Sequence, residues 1–182
     1  MELEGKLGAG LIEKMRKVKV LLLDVDGVLT DGRIILSDDG QETKCFDVRD
    51  GHGLKMIQRA GIEVMFLTGR KSRVVEHRAR ELGVDRVYQG ALDKLAVYQE
   101  ILSQEGLVPE QTAYMGDDIV DLPVLRQAGF SVTVCDAHAE VLRMVDLVTK
   151  SRGGRGAVRE VCELILKAQG KWEELTRRYR AS

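Results

Sequence analysis

VLLLDVDGVLTDG, residues 20–32, is the stretch from which the fold is read. Four consecutive apolar residues suit a strand buried on both faces, and two aspartates follow where that strand ends. In open α/β sheets, ligands collect at the carboxyl ends of the strands. Extended backbone repeats every two residues, so Asp24 and Asp26 start on one side, and Gly27 lets the chain turn sharply away. Paired carboxylates at a strand end also cap turns and helices, so this stretch alone leaves both readings open.

Outward from it, short apolar runs alternate with helix-period segments, the pattern of strand-helix units around a parallel sheet. Core strands are expected at 18–23, 62–67, 86–88, 112–115 and 130–134, with a short sixth near Leu147. Helices are expected at 51–59, 72–82, 93–104, 122–127 and 137–144, several stopped by glycine, and one long terminal helix over 156–178. Two segments break the rhythm. Residues 33–48 read as a β-hairpin turning at Asp39-Gly40. SRGGRGAVR, 151–159, reads either as a solvated linker or as a mobile glycine strap whose Arg152, Arg155 or Arg159 reaches a bound anion. The expected fold is α/β, a Rossmann-like parallel sheet covered by helices on both faces. A hairpin follows strand one, there is no cap domain, and the tail and last helix occupy 151–182 of a single domain, 1–182.

The chain's 182 residues fit one domain at about 150 residues per domain. With 28 basic and 29 acidic side chains the net charge is -1, which argues against nucleic-acid binding through bulk electrostatics. No apolar run approaches the roughly 20 residues that span a bilayer, so no membrane association is expected. The first ten residues carry no secretory pattern, and a cytoplasmic protein is expected. Cys45, Cys135 and Cys162 form no CxxC pair and read as buried free thiols. His52, His77 and His138 lack metal-ligand spacing, and only His52, just after the hairpin, is a candidate to line a pocket.

Three further features favour a functional reading of the aspartates. IEVMFL runs into Thr68-Gly69-Arg70. TAYM runs into GDDIVD, with Asp117, Asp118 and Asp121. Lys94 starts the helix after strand three. If strand one lies between strands two and four, Asp24, Thr68 and Asp117 converge at one switch point. Several carboxylates there need a cation, and a hard one with oxygen ligands, Mg2+, fits best. Metal, lysine and hydroxyl around a carboxylate suit phosphoryl transfer.

DxD, then Thr after strand two, then Lys, then GDDxxD resembles the haloacid dehalogenase superfamily of phosphotransferases. The resemblance implies the sheet order 5-4-1-2-3, with Asp24 as nucleophile and Asp26 as general acid and base. Thr68 and Lys94 would hold the phosphoryl oxygens. The side chains of Asp24 and Asp117 and the backbone carbonyl of Asp26 would bind Mg2+, with Asp118 and Asp121 orienting Lys94 or metal-bound waters. DVRDGHGLKMI, LTGRKS, HRARELGV and GGRGAVREVCELIL narrow the resemblance to the small capless, tetrameric members. Those hydrolyse the 8-phosphate of an eight-carbon sugar acid, 3-deoxy-D-manno-octulosonate, for lipopolysaccharide synthesis. Four hairpins would then form a barrel at the tetramer core, supplying the wall that a cap supplies elsewhere.

Arg78 falls inside the apolar stripe of its helix, since Val74, Arg78, Leu82 and Val75 lie at about 0°, 40°, 80° and 100° on a wheel. It needs an anionic partner, either a structural salt bridge or, as the resemblance implies, the substrate's acid end, shared with Arg70 beside Gly69. Rival readings are a nine-carbon acid 9-phosphate as substrate, a signalling receiver domain, and a non-catalytic oligomerisation module. Arg70 speaks against the first, Asp26 and the hairpin against the second, and the full catalytic set against the third.

Overall fold

Strand β1 (Val20–Leu23) sits at the middle of the sheet with all four side chains buried. The computed structural model describes residues 7–180; residues 1–6 and 181–182 of the expected domain, with part of the segment read for export signals, lie outside them. β1 pairs in parallel with β4 (Glu63–Thr68) on one side and with β6 (Thr112–Met115) on the other. Beyond these lie β5 (Arg86–Gln89), β7 (Phe130–Thr133) and the short β8 (Leu147–Val148), in the order β5-β4-β1-β6-β7-β8. Counted over the core strands, this is the expected order, with the short strand near Leu147 added at one edge.

Alternation along β1 divides the interior into two apolar layers. Leu21 and Leu23 enter one, with Leu54, Ile57, Val161 and Ile165; Val20 and Leu22 enter the other, with Met65, Tyr98, Ile101 and Tyr114. The first layer is closed by α1 (Ala9–Lys17), α2 (Val48–Arg59), α3 (Arg73–Leu82) and α7 (Ala157–Ala168). The second is closed by α4 (Lys94–Glu105), α5 (Leu122–Leu125) and α6 (Ala139–Leu142). Each fully buried aliphatic side chain contributes about 1.5–3 kcal/mol, so the doubly covered strands anchor whatever projects from their ends.

One element is added and three local expectations are corrected. The segment before β1 folds as α1, with Ile12 and Met15 buried on its inner face. The single terminal helix is two helices: α7 stops at Ala168, Gly170 takes φ +70°, and α8 (Trp172–Thr176) restarts the helix. That conformation favours glycine and ends the helical run. Cys45 and Cys135 are exposed, and only Cys162 is buried. The glycine strap is docked on its own chain: Gly154 N–H donates to Val28 O at 2.9 Å and Gly153 N–H to Asp136 Oδ1 at 3.1 Å. A β-carbon on Gly153 would stand 1.7 Å from Gly27 O, so glycine here permits close backbone approach.

The hairpin is present and small. β2 (Ile35–Leu36) and β3 (Glu42–Thr43) pair antiparallel, and Gly40 turns the chain at φ +79°. Asp47 then caps α2, accepting from Arg49 N–H at 2.7 Å, so the helix starts three residues before the expected Gly51.

Candidate active site

Register brings the site together. Leu23 lies opposite Phe66 on β4 and Met115 on β6, so Asp24, Thr68 and Asp117 leave the sheet at one edge. Asp24 N–H donates to Met115 O at 2.9 Å. The turn that follows is tied internally: Val25 O accepts from Leu29 and Thr30 N–H at 2.9 and 3.1 Å, and Thr30 Oγ1 accepts from Gly32 N–H at 3.2 Å. Gly27 has φ +92°, and a β-carbon on it would stand 2.0 Å from Asp117 Oδ2. Only glycine lets these two loops approach so closely.

Lys94 enters from the next strand-helix unit. Asp93 caps α4 by accepting from Ala96 N–H at 3.0 Å, which places Lys94 as the first helical residue. Its buried Nζ lies 3.0 Å from Asp24 Oδ2 and 2.6 Å from Asp121 Oδ1. Asp121 is fully buried and saturated. Its Oδ1 also accepts from the Tyr114 hydroxyl at 2.5 Å, and its Oδ2 accepts from Asp117 and Asp118 N–H at 3.0 and 3.2 Å. Asp121 therefore fixes Lys94 and the Asp117 loop together. Tyr114, which the sequence presents as strand filler, supplies the hydroxyl behind it; its one signal is a hydroxyl between two apolar residues, Ala113 and Met115, of a buried strand.

The cluster carries more negative charge than its surroundings hold comfortably. Burial, then the charge of Asp121, raises the Asp24 carboxyl to about 6 against the pull of Lys94. Burial, then Asp24 and Asp121, raises Asp117 to about 7. Burial alone would lower Lys94, but the two carboxylates outweigh it and its pKa is raised. Asp117 Oδ1 is buried without a donor. One oxygen each of Asp24, Asp117 and Asp121 lies within 4.8 Å of the others. Oxygen-only donors, crowded like charges and an orphaned buried oxygen fit a hard divalent cation such as Mg2+.

Above this floor is a cavity of about 330 Å³ lined by Asp24, Asp26, Thr68, Gly69, Arg70, Lys94, Asp117 and Asp118. The structure thus brings these expected residues to one opening, with Asp121 beneath. The hairpin stands behind two of the lining residues, Asp26 and Arg70. Lys44 is ion-paired with Asp26 and stands 3.3 Å from Glu42, while Arg70 reaches Glu42 Oε1 at 3.0 Å and Asp26 Oδ2 at 3.6 Å. Lys44 and Glu42 carry no motif and are not among the expected site residues.

Other expected contacts lie elsewhere. Arg78 is half-buried as the wheel requires, but it sits over the Phe46 ring at 5.5 Å and pairs with Glu81 at 2.8 Å, and it does not line the cavity. Arg159 bonds Glu163 at 2.8 Å and His52 at 2.9 Å, and Arg155 stands 3.8 Å from Asp31 in the loop after β1. Arg152 is exposed. His52 faces Tyr179 and Arg159 rather than the cavity.

Comparison with known proteins agrees with this geometry. The family model for haloacid dehalogenase-like hydrolases matches residues 86–161. The chain is 46% identical over 170 residues to the 3-deoxy-D-manno-octulosonate 8-phosphate phosphatase KdsC of Escherichia coli K12, covering 93% of this chain and 90% of that protein. It superposes with a TM-score of 0.89 on the crystal structure of the phosphatase of that name from Yersinia pestis, at 47% identity over 91% of this chain and 89% of that one. The corresponding enzyme of Moraxella catarrhalis, solved with magnesium ion, phosphate ion and KDO, superposes at 0.91, with 41% identity over 93% of this chain and 97% of that one.

Proposed function

The chain belongs to the 3-deoxy-D-manno-octulosonate 8-phosphate phosphatases among the haloacid dehalogenase-like hydrolases, and from that premise we propose how its own residues perform the hydrolysis. The reaction converts 3-deoxy-D-manno-octulosonate 8-phosphate and water to the free sugar acid and inorganic phosphate, a step of lipopolysaccharide synthesis. We place it in the cytoplasm; among the described residues no helix is long and apolar enough to cross a membrane.

Asp24 is the nucleophile. Its carboxylate attacks phosphorus, the bond to the sugar's oxygen breaks, and an aspartyl phosphate forms. Asp26 gives its proton to the leaving oxygen, then takes one from the water that attacks phosphorus and frees Asp24. Lys94 and the Thr68 hydroxyl hold the phosphoryl oxygens, and Asp121 with Tyr114 keeps Lys94 in place. Asp24, Asp117 and the Asp26 carbonyl would hold Mg2+, which when bound neutralises charge on the phosphoryl group and on the carboxylates; Asp118, at the rim, orients water. Arg70, beside Thr68 and Gly69, meets the acid end of the substrate. A part for Arg78 in substrate binding requires an adjoining chain, because within its own chain it stays with Phe46 and Glu81.

The observation that carries this reading is the meeting of Asp24, Lys94 and the donor-free Asp117 oxygen at the floor of one cavity. Ile34, Ile35 and Leu36 on the hairpin are 54%, 43% and 60% exposed, which supports assembly into a homotetramer through this element. Phosphate release with Mg2+ across eight-carbon acid, nine-carbon acid and hexose phosphates tests the substrate. The eight-carbon ester has the highest kcat/KM on this account. Equal rates on all would remove the specificity, and no release from the eight-carbon ester would remove the function.

A further inference from the structure

Lys44 touches the acid-base residue Asp26 and Glu42 touches Lys44, yet the reaction as laid out gives neither a part. The Lys44 side chain has no exposed surface, and an ammonium in that position needs paired charge. Its Nζ meets Asp26 Oδ1 and stands 3.3 Å from Glu42 Oε1. Glu42 is itself fixed from the body of the protein, by the Ser72 hydroxyl on Oε2 and by Arg70 Nη2 at 3.0 Å on Oε1. Ser72 caps α3, accepting from Val75 N–H, so the chain of contacts ends on a regular element. Asp26 keeps Oδ2 on the Arg70 side, 3.6 Å from Nε, where both residues line the cavity.

We propose that Lys44, held by Glu42, is a positioning residue for Asp26. It occupies Oδ1 so that Oδ2 faces the oxygen of the leaving group. Lys44 exchanges no proton: the one that passes to the departing ester oxygen, as its bond to phosphorus breaks, comes from Asp26. A carboxyl free to rotate would spend part of its time aimed away from that oxygen, and a misaligned donor loses much of its catalytic effect. The inference rests on the assignment of Asp26 as the proton donor. It also gives the hairpin a second task, since the element that presents Ile34, Ile35 and Leu36 outward carries Glu42 and Lys44 inward.

The competing role is a staple that only fastens the hairpin, and leaving-group dependence separates the two. Phenyl phosphate and p-nitrophenyl phosphate have no carboxylate, so Arg70's contact with the sugar acid does not enter. They differ in how much their departing oxygen needs a proton. kcat/KM reports the steps through cleavage of the ester bond, so the later use of Asp26 as base does not enter either. With Mg2+ saturating, Asp26→Asn lowers kcat/KM about 100-fold or more on phenyl phosphate and only a few-fold on p-nitrophenyl phosphate. Lys44→Met gives the same contrast at about tenfold against less than about threefold, and Glu42→Gln the same in smaller measure. Should Lys44→Met fail to fold, Glu42→Gln decides, since it preserves size and packing. Equal losses on both esters for Asp26→Asn would overturn its role as acid, and the inference with it. A contrast for Asp26→Asn, with equal or no losses for Lys44→Met and Glu42→Gln, would overturn the positioning role alone.

Discussion

The carboxyl edge of the sheet and the hairpin beside it are built on different principles. At the edge, each side chain is placed by strands buried on both faces, and Asp121 alone accepts four hydrogen bonds. The hairpin has two residues per strand and exposed isoleucines and leucine, and it meets the site through the ion pairs of Glu42 and Lys44. The floor of the site is therefore completed by the fold of one chain, whereas its wall is tied down by a few charged contacts and by whatever covers the apolar outer face. On the proposed mechanism, chemistry on phosphorus depends on the floor alone, whereas the setting of Asp26 and Arg70 depends also on the wall.

Substitutions separate the two regions by size of effect. Asp24→Asn removes the nucleophile and lowers turnover by at least about 10⁴-fold while the fold persists, as measured by phosphate release alongside circular dichroism. Next comes Tyr114→Phe, which deletes one hydroxyl beneath the floor. Losing a hydrogen bond to a charged acceptor costs about 1.5–3 kcal/mol, so kcat falls about tenfold to 100-fold with little change in KM. An unchanged kcat would show that Asp121 holds Lys94 without it. On the wall, Ile35→Asp puts a charge on the outer face of the hairpin. Sedimentation shifts to smaller species, and activity on the sugar phosphate falls several-fold more than on p-nitrophenyl phosphate; a species of unchanged size would exclude the hairpin from the assembly.

The smallest effect is on stability. Asp24 and Asp117 have folded-state pKa values of about 6 and about 7, above their unfolded values. The metal-free native state therefore holds protons that the unfolded chain has already lost, and stability falls as pH rises from the ordinary carboxylate range through about 7. Mg2+ opposes this by pairing with the ionised carboxylates. It raises Tm by more at pH 8 than at pH 5, and an equal gain at both would contradict the carboxylate cluster as its site.

The edge was legible in the sequence and the wall was not, for physical reasons. A carboxylate that follows an apolar run is placed by strand register, which is short-range and regular, so Asp24, Thr68, Lys94 and Asp117 could be assembled from spacing once the strand order was supplied. The helical wheel placed Arg78 on a covered face but could not say that Phe46 and Glu81 would cover it. Glycines at 153 and 154 suggested freedom, yet they allow the backbone to press against Gly27 and Val28. In QETKCF, a two-residue strand is too short for alternation to show that Glu42 and Lys44 turn toward Arg70 and Asp26, contacts that only the tertiary packing of the hairpin creates.

The central claim is that Asp24 becomes phosphorylated at the floor of this site. Rapid mixing of the Mg2+-loaded protein with 3-deoxy-D-manno-octulosonate 8-phosphate, followed by acid quench and peptide mapping by mass spectrometry, tests it directly. A transient phosphoryl adduct on the peptide carrying Asp24, formed before phosphate appears in solution, is the predicted result. Phosphate release with no adduct, together with retained activity in Asp24→Asn, would contradict it.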